Sequence, residues 1–420
     1  LKYFLMAARS RVLVLACFLI VHLALIHSGL TSAGTPMSDI SRAYQPWADF
    51  TAKTHIFLGL NRSWVYPFPN LIFIMAPYAA PWLDYQTAWL TMATVIDLVA
   101  MGILLYWGSK FAKVRTRAAW VWAFGLGLLG PVGVSRLDTI SIALAVIGLT
   151  AWINLKPGAS AIWFAVATWI KVWPIALLAA ALAATEKRKA VLLYGVGSAF
   201  TVLIIGFMLG DPHSVLGFAF EQSDRGIQIE SPWAAWWLWQ GINKVPGNGL
   251  YYDSGLQTFQ VQGQGTVLLA NLLGPVMYGA LAITCVLAWL AQRNVSRMKA
   301  DASIWLPRVL AWGSLTGVLD LIVFNKVGSP QYFGWLVLPA LIFTVYRPKG
   351  WQTVVGWVLG LMALTGLIYP MIYFAILDAD ISATSVLGIR NLLAIGLLVL
   401  ANIRLTALGS EKNLVVQQLL

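Results

Sequence analysis

Charge is what this sequence most lacks. Only 10% of its 420 residues are Asp, Glu, Lys or Arg, against about 25% in soluble domains, while 59% are hydrophobic. A chain with a mean hydropathy of +0.76 exposes too much apolar surface for water, so it reads as an all-α polytopic integral membrane protein. Backbone polar groups in a bilayer must pair within the segment, which makes a helix of about 20 apolar residues the spanning unit. Cysteine is nearly missing too. Cys17 and Cys285 both fall inside apolar runs, so no disulfide framework can be assembled, and with four histidines a His/Cys metal cluster is not expected. Neither metal nor cofactor is called for. The glycine signatures that hold nucleotide phosphates between a strand and a helix do not occur, which argues against ATP or a nucleotide sugar as substrate. Tandem repeats and low-complexity tracts are absent, as are the paired internal repeats of many transporters.

What is present is a succession of apolar runs, at 11–28, 68–80, 87–107, 118–130, 139–153, 159–182, 190–209, 267–290, 304–324, 333–346, 351–376 and 383–405. They predict a bundle of 11–12 transmembrane helices within one domain over 1–420. The first run follows Lys2, Arg9 and Arg11. No small-x-small cleavage site comes after it, so it is expected to be an uncleaved first helix. The net charge of +12 does not point to nucleic acid, because the basic residues gather in short clusters between apolar runs. The clusters at 186–189, 293–299 and 347–349 alternate with the loops 210–265, 325–331 and 378–382. Basic loops face the cytoplasm and anionic lipid, so the intervening loops, with 29–67 before them, are expected outside. One stretch resists this scheme. If every run spans once, 110–117 falls on the outer side; either 68–80 or 118–130 is then re-entrant, or that loop is an exception.

Several polar residues stand out against this background. Asp39 lies in the first polar stretch, with Arg42, Lys53, His55 and Arg62 behind it. A carboxylate among cations suits a reaction in which a hydroxyl loses its proton while an anionic group departs: the carboxylate is the base and the cations hold the leaving phosphate. Solvated loop charge is the plain alternative. Tyr66-Pro67-Phe68-Pro69 marks re-entry into the bilayer, since proline fits a first helical turn. Arg136 and Asp138 flank Leu137 between two apolar runs, as an ion pair that either caps the bilayer edge or belongs to a site. Lys171 falls near the middle of the 159–182 run, where inserting a lysine costs about 2.5–3.5 kcal/mol. Such a residue faces a cavity or a partner rather than lipid, and Pro174 beside it is placed to kink the helix. Asp97 and Asp320 are expected to pair structurally with Lys or Arg of neighbouring helices. Lys326, Gln331 and Tyr332 crowd a turn shaped by Gly328 and Pro330. Glu221, Asp224, Arg225 and Glu230 lie beside Trp233, Trp236, Trp237 and Trp239, as an interfacial aromatic belt or a carbohydrate-binding lip.

In their order along the chain these elements resemble the polytopic glycosyltransferases of the GT-C superfamily, in particular glycosyltransferase family 87, which includes actinobacterial polyprenyl-phosphate-mannose-dependent mannosyltransferases. The resemblance rests on Asp39 in SDISRAY, on Tyr66 in VYPFPN, on Lys171-Val-Trp-Pro174, on Ile229-Glu-Ser-Pro-Trp233 and on Gly328-Ser-Pro-Gln-Tyr332. It departs at Arg136-Leu137-Asp138, where relatives carry Gly-Gln-Asn, and at Phe68, where they carry a second proline.

The resemblance implies a metal-independent sugar transfer on the outer face of the cell membrane. The donor would be a polyprenyl-phosphate sugar, mannose by preference, and the acceptor a lipid-linked mannoside or lipoglycan. Asp39 would be the base. Lys171, Arg42, Arg62, Arg136 and Lys326 would face the donor phosphate or lipid, and Tyr44, His55, Tyr66, Asp138, Glu230, Trp233, Gln331 and Tyr332 the sugar or acceptor. A β-linked donor attacked in line would yield an α-mannosidic bond. The first loop would cover a cavity with Lys171 in its wall and the 326–332 turn at its far edge. Two alternatives stay open: the same fold using a polyprenyl-phosphate-arabinofuranose donor, and a non-enzymatic transporter of lipid-linked sugar. Oligomeric state is left undetermined, membrane lipids are expected partners and nucleic acid is not.

Overall fold

The computed structural model describes residues 10–32, 34–108, 112–221, 225–298 and 301–409. Lys2, Arg9, Lys110, Asp224 and Lys299, on which parts of the sequence reading rest, lie outside the described residues. Seven helices are long and apolar enough to cross a membrane. Among the described residues, paired strands form one antiparallel hairpin, β1 (Gly249–Asp253) and β2 (Thr258–Gln262), with Gly249 opposite Gln262.

The chain divides into two compact units, Leu1–Leu178 with Lys189–Asp224, and Ala179–Arg188 with Arg225–Leu420. The first unit contains α1 (Arg11–Thr31), α2 (Tyr85–Tyr106), α3 (Ala112–Leu129), α4 (Leu137–Ile153) and α5 (Pro157–Ile170). The short α6 (Ile175–Ala183) and α7 (Arg188–Leu209) each begin in one unit and end in the other. Every residue of α4 except Leu144 and Trp152 is buried, which is the position of a helix that is apolar all round. It forms a tight antiparallel hairpin with α5. Gly148 leaves room for the Phe164 ring, which would lie 2.8 Å from a Cβ there, and the Ser141 hydroxyl donates to the Ala167 carbonyl at 3.1 Å. The closed end of the hairpin is also tied down. Arg115, fully buried, donates to Asn154 Oδ1 at 2.6 Å, Asn154 donates to the Trp107 carbonyl at 2.8 Å, and Lys156 lies 5.2 Å over the Trp107 ring.

Two of the apolar runs depart from the simple reading. The first, 68–80, yields only a helix at Asn70–Met75 and a 3-10 turn at Ala76–Ala79. At 1.5 Å per residue it is about 15 Å long, half a bilayer core, so of the two candidates for re-entry this is the run that cannot cross. The second, 159–182, is not one helix with Lys171 inside it. Helix α5 stops at Ile170, Lys171 is extended (φ −144°, ψ 139°), and α6 starts afresh at Ile175. Pro174 is the cause, because its ring collides with the carbonyl four residues back, that of Ile170, and it offers no N–H of its own. The chain then reverses. A Cβ on Gly195 would touch both Leu178, at 3.0 Å, and Ala161, at 3.5 Å, whereas a continuous helix would hold those two residues about 25 Å apart.

The second unit is built on α8 (Thr266–Arg297), α9 (Ala302–Val323), α10 (Val337–Tyr346), α11 (Trp351–Gly366) and α12 (Ile381–Leu408). Here α9 and α10 are the buried helices, while α8 turns Val267 and Leu268 outward at 73% and 66% exposure, as befits a lipid-facing flank. Among the described residues, the two aspartates inside apolar runs pair with a histidine and a threonine rather than with Lys or Arg. Asp97 on α2 accepts or shares a proton with His22 Nε2 of α1 at 3.0 Å, while His22 Nδ1 donates to the Phe18 carbonyl. Asp320 on α9 accepts from the Thr284 hydroxyl of α8 at 2.6 Å.

Candidate active site

Because the α4–α5 hairpin is antiparallel, the first turn of α4 and the residue that ends α5 meet at its open end. Asp138 occupies the first turn and Lys171 the C-cap, with Oδ2 and Nζ 3.4 Å apart. Both are withdrawn from solvent, at 3% and 14% side-chain exposure. The Lys171 ammonium also lies 4.7 Å above the Tyr66 ring, a cation–π arrangement. Asn70 fixes the break from the other side: its side-chain amide donates to the carbonyls of Trp169 and Ile170, both at 3.2 Å, and to that of Pro67 at 3.0 Å. The two carbonyls that α5 leaves open before Lys171 thereby find a donor, and the VYPFPN segment is locked beside the lysine.

A second ion pair adjoins the first. Arg136, the N-cap of α4, is bonded to the Asp39 carboxylate, and its Nη2 donates to the Pro36 carbonyl at 3.2 Å. The arginine is buried and the aspartate is 43% exposed, so the guanidinium forms the floor and the carboxylate faces outward. Asp39 precedes a π-helical turn, Ile40–Tyr44, which carries Tyr44 inward until its hydroxyl accepts the Leu137 N–H at 3.3 Å. Burial, and after it the neighbouring Tyr66 and Asp138, push the Tyr44 ionisation well above the usual tyrosine range. Tyr44 is therefore a neutral hydrogen-bonding group. Its ring lies 4.6 Å from that of Trp89, whose Nε1 donates to the Ser135 carbonyl at 2.9 Å. Trp47, Trp64 and Tyr66 meet edge to face at 5.3, 5.8 and 5.4 Å and make an aromatic wall beside Lys171.

This geometry re-partners the residues singled out from the sequence. Arg136, at the extended N-cap, is bonded to Asp39, while Asp138, inside the helix, pairs with Lys171. The cation on Asp39 is Arg136 rather than its neighbours in the loop. Arg42, Lys53, His55 and Arg62 are exposed; Arg62 lies 5.5 Å over the Phe50 ring, and His55 ends the helix Gln45–Thr54 in a left-handed conformation, φ 55°.

Glu230, Trp233, Lys326, Gln331 and Tyr332 fall in the second unit. There the 326–332 turn packs against 228–233. Gln228 N–H donates to the Lys326 carbonyl at 3.0 Å, the Ser231 hydroxyl to Asn325 at 2.9 Å, and Trp233 Nε1 to Val323 at 2.8 Å. Gly328 is needed in this turn, since a Cβ would overlap the backbone of Glu230 and Ser231. Tyr332 stacks on Trp335 at 4.1 Å. Arg390, fully buried on α12, donates to the Glu230 carbonyl at 2.7 Å, sets Nη1 3.9 Å from the Glu230 carboxylate, and lies 4.5 Å over the Phe333 ring. Glu230 is thus buried against Arg390. Arg390 escaped the sequence reading although the signal was there, an arginine in the apolar run 383–405; Asn70, an amide just after the two prolines, escaped as well.

The open end of the hairpin can therefore do three things: offer a half-exposed carboxylate held from behind by a guanidinium, offer a buried ammonium held by a carboxylate, and flank both with aromatic faces. No curated protein matches the chain. Residues 64–240, which hold Tyr66, Asn70, Arg136, Asp138 and Lys171 and begin after Asp39, match the model of glycosyltransferase family 87.

Proposed function

We propose that the protein transfers a mannosyl residue from a polyprenyl-phosphate donor to a lipid-linked mannoside or lipoglycan on the outer face of the cell membrane, forming an α-mannosidic bond. One observation carries the reading: the two adjoining ion pairs, Asp39–Arg136 and Asp138–Lys171, beside an aromatic wall. In the reaction the acceptor hydroxyl oxygen attacks the anomeric carbon, and the bond from that carbon to the phosphate oxygen breaks. The hydroxyl proton passes to the Asp39 carboxylate, and polyprenyl phosphate leaves with the bonding electrons and one more negative charge. Lys171 answers that charge in a site with little water, where electrostatic stabilisation is strong. Asp138 aims the ammonium, Arg136 aims the carboxylate, and Tyr66, Trp47 and Trp64 supply faces for a sugar ring. In-line attack inverts a β-linked donor to an α-linked product.

Helix lengths and charge support this side of the membrane. The short 70–79 helix does not cross, and the chain turns back at Lys171 instead of completing a span. With both corrections every basic cluster, including 110–117, falls on one side, as the positive-inside rule requires. That side holds the closed end of the α4–α5 hairpin with Arg115 and Lys156. The open end, with the four charged residues, falls on the other, supporting an outer-face site.

The test is a donor screen with purified protein in detergent and a lipoglycan acceptor, radiolabelled polyprenyl-phosphate-mannose against the arabinofuranose lipid. Transfer from the mannose lipid is expected. Transfer from the arabinose lipid alone would replace the assigned sugar, and transfer from neither would overturn the enzymatic reading.

A further inference from the structure

Far from these groups in sequence, the second unit contains a cavity of about 570 Å³ lined by Glu186, Arg188, Trp289, Gln292, Arg293 and Ser296. Its walls come from the basic turn that opens α7 and from the last turns of α8. We propose that it binds the phosphodiester headgroup of an anionic phospholipid.

The lining has the chemistry for this. Two guanidiniums face one space, and each can grip phosphate oxygens with parallel N–H donors, which a lysine cannot. Gln292, 5% exposed, donates to the Ser296 hydroxyl at 2.8 Å, leaving that hydroxyl free to turn its proton into the cavity. Arg293 lies 5.3 Å over the Trp289 ring, and Trp289 remains 45% exposed, the disposition of an indole at headgroup level. Lys187, Lys189 and Arg297 flank the lining residues in sequence, and Glu186 is the one carboxylate that faces the cavity. The balance favours an anion. A lipid rather than a free anion is indicated by the flank of α8 leading away, where Ile283 and Val286 are 60% and 54% exposed and offer a bed for acyl chains.

The experiment is a thermal-melting titration of the full chain in phosphatidylcholine micelles, with phosphatidylglycerol, further phosphatidylcholine or inorganic phosphate added. A saturable rise in melting temperature with phosphatidylglycerol alone is expected. Each arginine near a lipid surface contributes roughly a fivefold change in affinity, so Arg293→Gln and Arg188→Gln should each weaken the apparent affinity about fivefold, while Glu186→Gln strengthens it. Lys349→Gln, an exposed charge in a different basic loop, should change nothing. Opposite signs at 186 and 293 are what a site produces and a loss of packing does not. Four variants indistinguishable from wild type, an equal loss in Lys349→Gln and Arg293→Gln, or saturation by inorganic phosphate would each overturn the proposal.

Discussion

The carboxylate of Asp138 lies 3.4 Å from the ammonium of Lys171 across the open end of the α4–α5 hairpin, each hidden from water. A pair in this setting is costly to break, because removing one partner strands the other as a buried charge, at about 3–5 kcal/mol. Lys171→Met alone should therefore lower the melting temperature sharply and weaken donor binding. Lys171→Met with Asp138→Asn should recover most of the stability but not the donor affinity. Melting curves and donor titrations on the same preparations separate the two effects; recovery of both by the double variant would make Lys171 purely structural.

Asp39 and Arg136 should separate differently in kinetics. Loss of a general base costs about 10²–10⁴-fold in rate, so Asp39→Asn should abolish measurable turnover of radiolabelled donor while leaving expression and donor binding intact. Near-normal turnover would sink the assignment. Arg136→Gln, which leaves the carboxylate present but unsupported, should lower kcat with little change in donor KM, the reverse of the Lys171 pattern.

In the second unit, Arg390→Met leaves the buried Glu230 without its cation, and the same 3–5 kcal/mol scale applies. Adding Glu230→Gln should restore much of it. If Arg390→Met melts with wild type, the pair does not hold the 228–233 segment.

Tyr44 gives a pH signature. Its folded-state ionisation lies above the unfolded value of about 10 because of burial, then Tyr66 and Asp138. The neutral phenol thus contributes stability that is fully present below pH about 10 and lost as pH rises beyond it. Tyr44→Phe should be destabilised by about 1–3 kcal/mol at neutral pH, since the Leu137 N–H loses its acceptor, yet should lose less stability than wild type between pH 9 and 11. Parallel alkaline slopes would assign the sensitivity to other groups.

The helical class, most of the apolar runs and the suspicion of Lys171 were legible from composition and hydropathy, because burial of long apolar segments is a local property of sequence. The pairings were not. Arg136 next to Asp138 in sequence hides the partners that the fold brings to each, Asp39 from the first loop and Lys171 from the end of α5. Arg115 and Asn154 likewise show nothing in sequence of the tie they form at the closed end. The pairing of Glu230 was hidden as well, because its arginine arrives only at 390. The topology conflict at 110–117 was visible in sequence; the shortness of the 70–79 helix and the reversal at Lys171, which bear on it, were not, the second showing only in the contact of Leu178 and Ala161 with a common neighbour.

That reversal bears on how the chain enters the bilayer. Helices α5 and α6 have 14 and 9 residues, each below the roughly 20 that hold a lone segment across the hydrocarbon. Neither can be threaded and anchored by itself. The segment bearing Lys171 depends on its neighbours for its place in the bilayer, so mutations that loosen α4, against which α5 packs, should be felt first as a failure of insertion.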